Sequence, residues 1–434
     1  MHDIPIYSML PFVLMLAAIA VMPIAKEHFW EKNKNKLIVS IILAVPTAIW
    51  LFASGFGADL YHEMVFGYVP FIILLGSLFI ITGGIFVEGN LESKPAINSI
   101  FLAIGAVLAS FMGTTGAAML LIRPLLHTNK RRQYKVHTVL FFIAVVANCG
   151  GLLTPLGDPP LFMMYLRGAP FAWFFHLAPE WLFANAILIL LYFFVDKHFW
   201  AKETEDVKVR EHNYVRKITI EGRMNFIWLA GVVLAVALIN PNTLHFIAGN
   251  EYFGFLREVV ILLMAYCSLK FTPHMTRQSN SFTWEPILEV AYLFLGIFVT
   301  MVPCILYLET HANAIGVNTP TLFYYASGSL SSFLDNTPTA VTFYSLAEGL
   351  VRENPALIEG SKTVAGIPEI FMKAISTGAV FFGSMTYIGN GPNFMVKAIA
   401  ESNNIHMPHF FAYMLKFSLI VLLPIFILVQ LLFM

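Results

Sequence analysis

A nine-residue pattern occurs twice in this chain, each time inside an apolar segment long enough to span a membrane. The first copy is Thr154-Pro155-Leu156-Gly157-Asp158-Pro159-Pro160-Leu161-Phe162, and the second is Thr386-Tyr387-Ile388-Gly389-Asn390-Gly391-Pro392-Asn393-Phe394. Both read Thr-x-(Leu/Ile)-Gly-(Asp/Asn)-x-Pro-x-Phe. A lipid-facing helix has no use for Gly, Pro and a carboxylate together at mid-depth. Every backbone group freed there must be satisfied inside the protein. A discontinuous helix lining an ion site does use them.

Composition supplies the setting. Of 434 residues, 58% are hydrophobic and only 12% charged, too few to solvate the surface of a soluble domain. The fold class is therefore an all-α polytopic membrane protein, with the lipid bilayer as its first partner. A formal net charge of +0 gives no footing for a nucleic-acid partner. Cys149, Cys267 and Cys304 lie in apolar stretches with no metal or disulfide spacing and read as buried thiols. The first apolar run, 7–24, lacks a basic leader and a small-residue cleavage site, so it reads as a span rather than a removed signal peptide.

A span takes roughly 20 apolar residues to cross a core about 30 Å thick. Segments 6–25, 37–54, 68–87, 134–167, 180–198, 224–240, 257–270, 286–308, 370–399 and 409–433 qualify, 257–270 being short. Two further stretches, 96–127 and 320–348, are split by Gly113-Thr114-Thr115-Gly116 and by Asp335-Asn336-Thr337-Pro338. Each half is too short to cross alone, so each stretch is expected to be a re-entrant hairpin. With the N-terminus outside, Lys26, Lys32, Lys34, Lys36, Lys94, Lys130, Arg131, Arg132 and Lys135 fall inside. So does the connector carrying Lys202, Lys208, Arg210, Arg216, Lys217 and Arg223. The opposite loops 55–67, 168–179 and 309–319 contain no Lys or Arg. That asymmetry follows the positive-inside rule. A bacterial inner (plasma) membrane is the expected location.

Three landmarks recur in order. Segment 76–85 resembles 296–305, the tip at 113–116 parallels 335–338, and 154–162 parallels 386–394. The expected architecture is two inverted repeats of five spans, each with a re-entrant hairpin and a discontinuous helix. The first repeat is 1–199 (hairpin 96–127, broken helix 134–167) and the second is 224–434 (hairpin 320–348, broken helix 370–399). Segment 200–223 is the cytoplasmic connector, a solvated amphipathic stretch. An odd number of spans turns the second repeat upside down, as in secondary transporters with midplane sites.

The candidate site follows from the breaks. Pro159 and Pro160 would free the carbonyls of Pro155 and Leu156, and Pro392 that of Ile388. Gly157, Gly389 and Gly391 let the chain open. Bare carbonyls, hydroxyls and a carboxylate form a hard-oxygen set suited to Na+. Asp158 and Asp335 are the two carboxylates placed near mid-depth, where a lone charge must be paired, ion-bound or protonated. Asn336, Thr337, Thr114 and Thr115 sit at the hairpin tips. Thr154, Thr386, Asn390, Asn148, Asn393 and Ser384 belong to the breaks. Asp335 is also expected to cap the arm that follows it. Glu289, Lys416 and Arg123 lie near span ends and read as snorkelling. His28, His62, His176, His198 and His212 read as solvated loop histidines.

These motifs resemble the ion transporter superfamily, and within it the NhaD-type sodium/proton antiporters and the citrate-transporter-like proteins. The likeness covers nearly the whole chain. Its most specific parts are 148–160, 332–338 and 383–393. It implies two inverted repeats, elevator-type movement of a transport domain against a scaffold that often dimerises, and no cofactor beyond Na+ itself. Carboxylate transporters of this superfamily carry Ser-Asn-Thr at both tips, whereas here the tips read Gly-Thr-Thr and Asp-Asn-Thr. An anionic substrate about 4 Å from Asp335 would meet a repulsion of roughly 4 kcal/mol at an effective dielectric near 20, unless Na+ or a proton cancelled it. Na+/H+ antiport by Asp158 and Asp335 is therefore the leading expectation. Na+- or H+-coupled uptake of citrate or a dicarboxylate is the alternative. An intramembrane aspartyl protease, the one enzyme class with paired membrane aspartates, is a remote third. Against it, this chain has no Tyr-Asp partner motif, and proteolysis gives the inverted repeat no role.

Overall fold

In a computed structural model of the protein, residues 4–204 and 216–434 are described. Lys208, Arg210 and His212 of the connector lie outside them. The helices in chain order are α1 (Leu10–Ala25), α2 (Asn33–Ala53), α3 (Val69–Thr82), α4 (Pro95–Met112), α5 (Thr114–Thr128), α6 (Val136–Val145), α7 (Pro159–Leu166) and α8 (Ala178–Lys202). There follow α9 (Met224–Leu238), α10 (Phe255–Phe271), α11 (Glu285–Thr310), α12 (Pro320–Ser331), α13 (Asn336–Glu353), α14 (Glu369–Phe382), α15 (Gly391–Ser402) and α16 (Leu423–Phe433). Two small antiparallel ladders pair β1 (Phe86–Asn90) with β2 (Arg216–Glu221), and β3 (Thr363–Val364) with β4 (Ile367–Pro368). The end of the connector is therefore a strand, exposed or half-buried over 218–221.

Among the described residues, nine helical stretches are long and apolar enough to cross a membrane. They are Ile6–Pro23, Asn33–Ala53, Gly57–Thr82, Pro95–Met112, Val136–Leu153, Phe171–Lys202, Glu251–Phe271, Glu285–Thr310 and Phe410–Phe433. The protein is an all-α polytopic membrane protein. Helix α9, with 15 residues, falls short of that length. Helix α4 has 18 residues and qualifies by itself, whereas α5 has 15. The shortness expected of both arms of 96–127 thus holds for the second arm only.

The chain forms two compact units, and each takes segments from before and after the connector. The first comprises Met1–Gly76, Pro159–Pro170 and Thr283–Ala379. Helix α11 runs through it, packed against α2 and α13. Phe71 lies 4.7 Å from Phe294 and 5.6 Å from Phe298, ring to ring. Leu51, Val299 and Val302 continue this core. Lipid offers apolar side chains as good a home as the core does, so helices associate here through close packing and polar contacts. Gly349 of α13 shows the first: a Cβ there would sit 2.6 Å from the Leu308 carbonyl oxygen. The ion pair of Lys36 with Glu289, at 2.7 Å, shows the second, so Glu289 does not snorkel alone.

The second unit comprises Ser77–Asp158, Phe171–Phe282 and Val380–Met434. Helices α4, α6 and α8 enclose the turn Cys149–Leu153. A Cβ on Gly150 would lie 2.7 Å from Ala106 Cα, so glycine permits that approach. A buried ionic knot ties the same helices together. Arg132 Nη1 donates to Asp196 Oδ2 at 2.9 Å, and Arg132 Nη2 and His137 Nε2 lie 2.6 and 2.7 Å from Asp196 Oδ1. Asn98 and Asn129 exchange amide hydrogen bonds of 2.9 and 3.0 Å beside it. Arg123 Nη1 donates to the Asn280 carbonyl at 2.6 Å, so its charged head has a protein partner as well.

Candidate functional site

The two pattern copies adopt the same local course. Each follows a short tight turn, Cys149–Leu153 in one case and Gly383–Met385 in the other. Thr154 then extends at φ −144°, ψ 160°, and Thr386 at φ −140°, ψ 167°. Thr154 Oγ1 accepts from the Leu156 N–H at 3.2 Å. Thr386 Oγ1 accepts from the N–H groups of Ile388 and Gly389 at 3.2 and 3.1 Å. Such hydroxyl-to-backbone bonds hold a chain in a turn where it would otherwise coil into helix.

The prolines act differently from the sequence expectation. Pro159 and Pro160 are the first two residues of α7, and Pro392 is the second of α15. At those positions an N–H would have no helical partner anyway, so proline starts the helix rather than interrupting it. The carbonyls of Pro155, Leu156 and Ile388 lie outside any helix because one helix has ended and another has yet to begin. Gly157 is required by space: a Cβ there would sit 1.9 Å from the Gly151 carbonyl oxygen. A Cβ on Gly391 would meet nothing within 4 Å, so its presence has no packing reason.

Within the second unit the breaks and the first tip converge on Asp158, which is 1% exposed. Thr114, the first residue of α5, donates its hydroxyl to Asp158 Oδ1 at 2.9 Å and its N–H to the Gly157 carbonyl at 2.8 Å. Gly113 makes that turn with φ +82°, a conformation glycine favours. Asn390, which precedes α15, places Nδ2 at 3.2 Å from each of Asp158 Oδ1, Asn148 Oδ1 and the Ala147 carbonyl oxygen. Asn148 Nδ2 donates to Asn393 Oδ1 at 2.7 Å. Asn393 Nδ2 donates to the carbonyls of Gly383 and Thr386 at 2.8 and 2.9 Å. The structure thus brings Asp158, Thr114, Asn390, Asn148 and Asn393 together. Thr154, whose hydroxyl donates to the Ser110 carbonyl, and Ser384, which donates to the Phe381 carbonyl at 2.5 Å, serve local backbone. Thr115 is only partly buried.

In the first unit Asp335 caps α13, its Oδ1 accepting from the Thr337 N–H at 2.9 Å. Ser331 Oγ lies 2.5 Å from Asn336 Oδ1 and 2.6 Å from the Ala379 carbonyl oxygen. Thr337 is buried beside Asp335.

Both places gather oxygen acceptors. The two hydrogens of the Asn390 amide lie within reach of three oxygens, one of which also receives the Thr114 hydroxyl, and the Ser331 hydroxyl faces two. Among the described residues no three His, Cys, Asp or Glu side chains gather as a metal site, so a cation here would meet amide, hydroxyl and carbonyl oxygens around single carboxylates.

Sequence reading missed two ionic clusters, Arg132–Asp196–His137 and Arg167–Glu63. Asp196 and Arg167 lie at the edges of apolar runs. The rule that ionisable groups in membrane segments seek partners points to them, though it does not name the partners. Among the described residues, His137 is a histidine that is both buried and bonded to a carboxylate, that of Asp196.

Helices of spanning length together with polar, non-helical breaks are the build of a membrane transporter. A family model described as "Putative citrate transport" matches residues 1–434. The chain belongs to that family. It is also similar to the inner membrane protein YbiR of Escherichia coli (strain K12), with 29% identity over 133 residues. That match covers 28% of this chain and 35% of YbiR, so the chain spans about a third of that relative's length.

Proposed function

We propose that this transporter exchanges Na+ for H+, with Asp158 and Asp335 as the carboxylates for which the two ions compete. What supports this most is the gathering of oxygens around Asn390. Oxygens of Asp158, Asn148 and Ala147 converge there with the Thr114 hydroxyl, a hard-oxygen set suited to a cation. The buried Thr337 hydroxyl beside Asp335 offers a second oxygen of the same kind. Thr114, Thr115, Asn336, Thr386 and Asn393 complete or shape these sets. Movement is of the elevator type, in a homodimer. The protein resides in an inner membrane with the N-terminus outside and the basic loops inside.

A second reading has its own support in the family description and in the helix starts at Thr114 and Gly391. Their N-terminal partial charges suit an anion once a cation or proton neutralises the carboxylate. It is cation-coupled uptake of citrate or a dicarboxylate.

Reconstitution in liposomes with an internal pH dye tests both. Under exchange, a Na+ gradient alone moves protons, and Asp335→Asn or Asp158→Asn lowers the rate at least about 100-fold, some 2.7 kcal/mol of barrier. Proton movement that requires added citrate or dicarboxylate would install the second reading.

A further inference from the structure

A cluster in the first unit sets three glutamates against two arginines. Arg167, just past α7, places Nη2 2.8 Å from Glu63 Oε1. Its guanidinium lies 5.5 Å from the centre of the Tyr344 ring. Tyr344 is 1% exposed, and its hydroxyl sits 3.0 Å from Glu348 Oε1 and 2.7 Å from the Ala365 carbonyl oxygen. Glu309 pairs with Arg352 at 3.1 Å. Glu348 lies within electrostatic reach of Arg167, Glu309 and Arg352. Glu353, further along α13, is engaged elsewhere, accepting from the N–H groups of Ala312 and Asn313.

Two counts agree. A phenol has one hydrogen to give, and a carbonyl can only accept. If Tyr344 gives its hydrogen to the nearer acceptor, Ala365, the contact with Glu348 needs a hydrogen from Glu348. Charge says the same. Glu63, Glu309 and Glu348, all ionised, would place three negative charges against the two of Arg167 and Arg352. A neutral Glu348 balances the set, and uncompensated charge in a half-buried cluster is costly.

We infer that Glu348 is a proton-binding residue, held here as the acid and donating to Tyr344. It stands on α13 thirteen positions beyond Asp335, about 20 Å at 1.5 Å per residue. Loss of its proton turns the Tyr344 hydroxyl from Ala365 to the new carboxylate, which unlatches the β3–β4 turn ahead of α14. Its part in transport rests on the exchanger reading; its protonation does not.

Infrared spectra of the purified full chain at neutral pH decide the protonation. Wild type is expected to show a carboxylic-acid carbonyl band that moves on labelling with 13C-glutamate and is lost in Glu348→Gln. No glutamate-derived acid band, or an identical band in the variant, would overturn the inference. Tyr344→Phe keeps the acid and is expected to shift its band; an unshifted band would remove Tyr344 as the acceptor. The isotope experiment needs no variant, so a misfolded Glu348→Gln leaves the test intact. In liposomes Glu348→Gln is expected to slow Na+-driven proton movement at least tenfold. A wild-type rate in the variant would overturn its role in transport. Absence of proton movement in wild type would overturn the exchanger reading alone, while the band still decides Glu348.

Discussion

Thr114 makes two bonds that no single neighbour could replace, one from its hydroxyl to Asp158 and one from its N–H to Gly157. Valine keeps the shape and the N–H and deletes only the hydroxyl. Thr114→Val is therefore expected to fold and to weaken Na+ dependence about tenfold, or ~1.4 kcal/mol, read from exchange rate against Na+ concentration. Gly157→Ala is a different kind of change, because the new Cβ meets the Gly151 backbone oxygen rather than a movable side chain. It is expected to cost at least about 3 kcal/mol, the upper end for overpacking, seen as a lowered melting temperature in detergent. At this scale Asp158 and Asn390 were legible because polar residues stand out in apolar sequence. That Thr114 bonds Asp158, 44 positions on, was not, since nothing local links them.

Among the elements, the two helix breaks were readable because Gly and Pro obstruct helix at any depth. Their mechanism was not. Proline inside a run and proline opening a new helix look alike in sequence, and only the extended Thr154 and Thr386 distinguish them. The knot that ties α4, α6 and α8 through the segment after α5 was invisible for another reason. Arg132 and Asp196 are 64 positions apart, and each alone reads as an interfacial charge. Both side chains are fully buried, so removing one partner strands the other. Asp196→Asn is expected to destabilise the protein by about 3–5 kcal/mol, checked by thermal unfolding in detergent, whereas substitution of exposed Lys130 leaves the midpoint unchanged.

Over the whole molecule, charge asymmetry carries a prediction about sidedness. A cysteine at Asn318 is expected to react with a membrane-impermeant maleimide added to intact cells, and one at Arg131 only after the membrane is opened. The reverse pattern would invert the proposed orientation. Native Cys149 and Cys304 are buried, and Cys267, partly buried, is to be replaced first. The spans were legible as apolar runs, yet the compact units were not. Each gathers segments from both sides of the connector, and hydropathy has no memory of which helices will pack together.

The Asn390 amide has a kinetic consequence. Its three contacts are all 3.2 Å, longer than the usual 2.9–3.0 Å, and small rotations pass its hydrogens from one oxygen to the next. In the exchange proposed above, an ion arriving at such a set would not wait for the cage to rebuild, and a departing one would leave no deep well behind. A site of this kind would trade residence time for turnover, as conduction through successive weak sites does in a channel.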